Sequence, residues 1–173
     1  LLGQHHGVPA AGIIASIAQH LDARAALARI TELEVADTDD VRAIAGAIEA
    51  VEAIGPKRCA VVTSATRELG LARLAAAGIP LPDVVVTFDD VERGKPHPDL
   101  FLHAARTMGV DPSRALVIED SEAGVSAGVA AGMTVVGLLA GGHVRDGHAE
   151  RLAARGANHL AATYREVAAF MDR

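Results

Sequence analysis

Apolar positions along this chain change their spacing near residue 58. Before that point they follow a helical period. From Pro9 to about Ile30 they recur at helical intervals, with Ile13, Ile14, Ile17, Ala18 and Leu21 on one face. Asp22 is placed to cap a second helix carrying Ala26, Leu27, Ile30 and Leu33. A polar break at Ala36-Asp37-Thr38-Asp39-Asp40 precedes a third helix from Ile44 to Ile54, which Gly55-Pro56 closes.

After residue 58 the pattern becomes short apolar runs, each followed by a helical stretch and a glycine. Runs at Cys59–Thr63, Val84–Phe88, Ala115–Glu119 and Thr134–Leu139 are too short for helices and read as buried strands. Helices are expected at Glu68–Ala77, Pro98–Met108, Ser121–Ala131 and Ala149–Ala154, ending at Gly78, Gly109, Gly132 and Gly156. A last short strand, His159-Leu160, precedes a helix over Tyr164–Met171. This strand–helix–glycine rhythm, repeating about every 25 to 30 residues, predicts βα units around a parallel sheet. Residues 1–42 read as a helical segment outside that sheet, and residues 43–173 as the α/β unit.

Composition narrows the reading. Half of the 173 residues are apolar but only 2% are aromatic, so the core is built from Ala, Val, Leu and Ile. A net charge of −6 leaves no basic stripe for nucleic acid, although a small phosphate needs only one or two local cations. No apolar run approaches the roughly 20 residues of a spanning helix, so no membrane partner is expected. The single cysteine, Cys59, cannot form an internal disulfide, which makes a reducing cytoplasm the expected setting. Its place in an apolar run argues against a catalytic thiol.

Ligands of open parallel sheets bind beyond the carboxyl ends of the strands. There the sequence puts Thr63 and Ser64 after one strand, Lys95 in the loop after the next, and Glu119 with Asp120 after the third. Two adjacent carboxylates repel each other unless a cation sits with them, and oxygen ligands favour Mg2+ over zinc. Hydroxyl, ammonium and metal-binding acids together suit a phosphoryl group. Gly124, Gly128 and Gly132, four residues apart, read as close helix–sheet packing rather than a membrane dimer face. Gly141-Gly142-His143 lacks the lysine and hydroxyl of a phosphate loop. His103, His143, His148 and His159 show no zinc spacing and read mostly as surface residues.

Three segments carry a resemblance. Val61-Val62-Thr63-Ser64-Ala65-Thr66-Arg67, then Asp90-Val91-Glu92-Arg93-Gly94-Lys95-Pro96-His97-Pro98, then Val117-Ile118-Glu119-Asp120-Ser121-Glu122-Ala123-Gly124 resemble motifs two, three and four of the haloacid dehalogenase (HAD) superfamily. The wording is closest to its sugar-phosphate and glycerol-phosphate phosphatases, a group that includes β-phosphoglucomutase. The resemblance implies a Rossmann-like three-layer α/β sandwich, with residues 7–40 resembling the family's small α-helical cap. It implies hydrolysis of a small phosphomonoester with Mg2+ through a phosphoaspartyl intermediate. Ser64, or Thr63 one register earlier, would hydrogen-bond the phosphoryl group, and Ala65 would add a backbone N–H. Lys95 would offset its charge. Asp120 would hold Mg2+ directly, and Glu119 directly or through water. Arg67 and His97 would flank the cleft, and His5 and His6 lie where a cap faces substrate. The expected partner is a small phosphorylated metabolite, and oligomeric state stays open. Two rivals remain: a phosphosugar mutase, and a non-catalytic binding module of the same fold.

One expected part is missing. The family's nucleophile and acid/base sit in an Asp-x-Asp-Gly-Thr segment at the end of the first strand, and this sequence has none. Asp37-Thr38-Asp39 has the spacing but no preceding strand and no Gly-Thr. The chain also begins at Leu1-Leu2-Gly3 rather than Met, and reads as truncated by a first strand and cap helix, roughly 40 to 50 residues at usual element lengths. The expectation is that these residues alone are inactive and poorly stable, with a gap in the sheet whose flanking strands carry unpaired backbone groups.

Overall fold

The structure, a computed structural model, describes residue 7 and residues 10–18, 20–141 and 144–171. Three helices come first: α1 (Ala10–Ile17), α2 (Ala23–Ala36) and α3 (Ala47–Ile54). Asp22 caps α2, its carboxylate accepting from Arg24 N and Ala25 N at 2.9 and 3.1 Å. Glu32 to Ala36 lie within α2, so the Asp37-Thr38-Asp39 segment follows a helix and not a strand. The α1 face is buried at Ile14, 6% exposed, but Ile17 and Leu21 stay exposed. α1 packs on α2, and α2 on the later helix Arg67–Ala76.

The βα units follow: β1 (Ala60–Val62), α4 (Arg67–Ala76), β2 (Val84–Val86), α5 (Asp99–Met108), β3 (Leu116–Glu119), α6 (Glu122–Ala130), β4 (Thr134–Leu138), α7 (His148–Ala154), β5 (His159–Ala161) and α8 (Tyr164–Met171). Every strand pairing is parallel. Alternation along the strands sends side chains to two faces. Val117 and Val135 join Phe101, Val125, Ala127 and Leu152 in a core under α5, α6 and α7. Val136 and Leu138 face the other way, with Val167 and Tyr164 of α8. The result is the expected three-layer sandwich. Helix α6 lies close to the sheet because Gly128 lacks a side chain: a Cβ there would come within 2.8 Å of Val135 Cγ2.

The sheet is in two pieces. β1 pairs with β2, and β3, β4 and β5 pair in that order, but among the described residues no ladder joins β1 to β3. The break falls between the strand that leads to Ser64 and the strand that ends in Glu119, where the resemblance puts the absent first strand. Val62 of β1 still packs against the core that holds Val117, so apolar contact spans the seam.

Candidate active site

The carboxyl ends of β1 and β3 face this seam, and one side chain crosses it. Lys95 follows β2 in the Gly94-Lys95-Pro96 loop and is only 6% exposed. Its ammonium donates to Glu119 Oε1 at the end of β3 and to Val62 O of β1, 3.3 Å away, and lies 5.1 Å from the centre of the Phe101 ring. A buried ammonium needs such partners, because desolvation without them is costly.

Glu119 is fully engaged. Its Oε2 accepts from Asp120 N at 3.0 Å, Ser121 N at 3.0 Å and Ser121 Oγ at 2.9 Å. Ser121 in turn caps α6 by accepting from Gly124 N at 3.0 Å. Gly124 is what admits the carboxylate, since a Cβ on residue 124 would overlap it. Of the acid pair predicted from sequence, Glu119 bonds Lys95, Ser121 and the strand-end backbone. Asp120 stands beside it, half-buried, near enough to Tyr164 that burial first and the Asp120 charge second raise the Tyr164 phenol above its usual range.

On the β1 side, Ser64 Oγ donates to Gly7 O at 2.8 Å, while Thr63 Oγ1 accepts from Ala65 N at 3.1 Å. The Gly7 backbone sits between Ser64 and Ser121, because a Cβ on residue 7 would overlap the Ser121 side chain. Ser64, Lys95, Glu119 and Asp120 thus share one end of the sheet. Thr66 Oγ1, two residues past Ser64 at the N-cap of α4, is buried with no hydrogen-bond partner among the described residues.

Other sequence candidates lie elsewhere. The Arg67 guanidinium turns to Asp90, at 2.9 Å, and to Val85 O, at 3.1 Å, lining a 370 Å³ cavity with Asp83, His103 and Thr107. His97 is exposed, and its backbone N–H closes a turn onto Gly94 O at 3.0 Å. His5 and His6 are outside the described residues. Cys59 Sγ donates to Gly55 O at 3.3 Å, and burial first and Asp83 second push its thiol up, away from a nucleophilic thiolate. Sequence reasoning missed two residues. His148, read as a surface residue, is 8% exposed and contacts the Asp120 backbone. Gly7 carried no signal except its place after His5-His6.

Among the described residues no three His, Cys, Asp or Glu side chains converge as a metal cluster. The donor set still fits Mg2+, which takes one or two carboxylates and completes its octahedron with water and phosphate oxygens. Asp120 is a suitable kind of ligand, an oxygen donor beside a fixed cation. Among the described residues no helix is long and apolar enough to cross a membrane.

The sequence matches the family model "Haloacid dehalogenase-like hydrolase" over residues 2–138. The chain belongs to that family. Hexitol phosphatase A of Escherichia coli (strain K12) is 37% identical over 121 residues, 69% of this chain and 56% of that protein. The chain spans about half the length of the curated relatives it matches. A hydrolase from Pseudomonas syringae superposes with a TM-score of 0.83 at 25% identity, covering 99% of this chain and 81% of that one. A HAD family hydrolase from Deinococcus radiodurans R1, solved with bound phosphate and sodium, gives a TM-score of 0.68 at 34% identity, over 75% of this chain and 59% of that one. Within the HAD-like hydrolases the similarity is to the sugar-phosphatase group.

Proposed function

We propose that this HAD-like hydrolase serves the hydrolysis of a small phosphomonoester of the sugar-phosphate or glycerol-phosphate type, with Asp120 holding Mg2+. The observation that carries the reading is Lys95, a cation buried across the seam and fixed by Glu119 and Val62 O. An ammonium has three N–H donors, and two are engaged, which leaves one for a phosphoryl oxygen. Ser64 supplies the hydroxyl by turning its O–H from Gly7 O to a phosphoryl oxygen, and Thr63, whose Oγ1 accepts from Ala65 N and keeps its own O–H, is its rival. Thr66 offers a second hydroxyl at the start of α4. Mg2+, when bound, would offset phosphoryl charge and make phosphorus more electrophilic. Glu119 acts on Lys95 rather than on the ion: it keeps the ammonium aimed.

The family's covalent step forms a phosphoaspartyl group on an aspartate of the Asp-x-Asp-Gly-Thr segment, which does not occur in these 173 residues. In this reading they bind phosphate and metal without turnover. Calorimetric titration of inorganic phosphate with Mg2+ tests the first half. Losing one charge-assisted hydrogen bond of roughly 1.5–3 kcal/mol should weaken phosphate about 10-fold or more in Lys95→Met and in Ser64→Ala. Equal affinity in wild type and both variants refutes the site. Robust Mg2+-dependent hydrolysis of a hexitol phosphate by the 173 residues refutes their inactivity.

A further inference from the structure

The peptide unit at Asp120 is held from both sides. Its N–H donates to Glu119 Oε2 at 3.0 Å, and its carbonyl oxygen lies 2.9 Å from Nε2 of His148, the first residue of α7. A carbonyl only accepts, so Nε2 carries a hydrogen. Arg151 Nη2 lies 3.5 Å from His148 Nδ1, and a guanidinium only donates, so Nδ1 presents its lone pair. The Nε2–H tautomer satisfies both contacts. Arg151 Nε also pairs with Glu122 at 3.2 Å, and Arg155 Nε with the same carboxylate at 3.1 Å. Helix α7 with its C-cap residue Arg155 thus holds the β3–α6 junction, at residue 120 through a buried imidazole and at Glu122, the first residue of α6, through two guanidinium groups.

We infer that His148 is a positioning residue for the metal ligand. By fixing the carbonyl of residue 120 it sets the direction in which the Asp120 Cα–Cβ bond leaves the strand end. Arg151 acts one step further out, holding the imidazole in the tautomer that donates. Metal ligands tolerate displacements of only about 0.5 Å, and partners that orient them are typically worth 10- to 100-fold in metal affinity. The inference rests on the reading that Asp120 holds the divalent ion.

Titration of the 173-residue chain with Mn2+, followed by the electron paramagnetic resonance of the free ion, separates the two ideas. Asp120→Asn should abolish binding. His148→Leu, which keeps bulk but no donor, should weaken Mn2+ about 10-fold or more. His148→Gln, which keeps an N–H at similar reach, should restore most of that loss, a rescue that general packing would not give. Should His148→Leu fail to fold by circular dichroism, Arg151→Met is read instead. It should weaken Mn2+ and mix the His148 tautomers seen by nitrogen NMR. Wild-type affinity in folded His148→Leu, or in Arg151→Met with a single tautomer, while Asp120→Asn does not bind, overturns the role of His148 alone. Absence of Mn2+ binding to wild type, or unchanged binding to Asp120→Asn, removes the Asp120 reading and this inference with it.

Discussion

Replacing Gly124 with alanine sets two effects of opposite sign against each other. Gly124 lies in α6, and helix propensity alone favours alanine there by about 1 kcal/mol. The new methyl, however, would occupy the space of the Glu119 carboxylate. That carboxylate is held by Lys95, by the N–H groups of Asp120 and Ser121, and by the Ser121 hydroxyl. Hydrogen bonds to a charged group contribute roughly 1.5–3 kcal/mol each, so losing two of these four outweighs the propensity gain. The expected outcome is a net loss of about 2–5 kcal/mol in urea unfolding, with the slope of the transition unchanged. In a Glu119→Ala background the obstacle is gone, and the same substitution should turn neutral or stabilise by up to about 1 kcal/mol. An alanine variant as stable as wild type, or one with equal cost in both backgrounds, would refute the description of the Glu119 pocket.

Lys95→Met leaves Glu119 buried without its cation and should cost about 3–5 kcal/mol, whereas Lys95→Met with Glu119→Leu should recover much of that loss in a double-mutant cycle. For Asp90, burial raises the carboxyl pKa, but the Thr87 N–H and hydroxyl and the Arg67 guanidinium outweigh it and hold the group below its ordinary 3.8. A depressed folded-state pKa gives stability that is present above 3.8 and lost as pH falls through the lower folded value. Asp90→Asn should therefore lose stability at pH 7 and flatten the acid limb of a thermal-melt series, and an unchanged acid limb would contradict it.

The parallel frame was legible because its signals are local. Short apolar runs give strands, Asp22 and Ser121 cap the helices that follow them, and Gly109 takes φ +67° where α5 stops. The gathering of Ser64, Lys95 and Asp120 at one sheet end followed from topology, since strand ends converge in parallel folds. The division of labour within the acid pair was not legible. Glu119 and Lys95 are 24 residues apart, and nothing near either says that the ammonium is buried on that carboxylate. His148 was missed for the same reason: its partner is a backbone carbonyl 28 residues away, with no side-chain type to announce it. Arg67 illustrates the reverse error, for it neighbours the motif in sequence while its side chain belongs to the β2 edge.

The seam between β1 and β3 gives the Lys95–Glu119 bond a second meaning. The two half-sheets, without a common ladder among the described residues, are joined by apolar packing through Val62 and, at the end where chemistry is proposed, by this bond. A phosphoryl ligand that met the ammonium from one half and metal held by Asp120 from the other would staple the same joint. Its binding would then raise the melting temperature by mass action, making that temperature a gauge of occupancy.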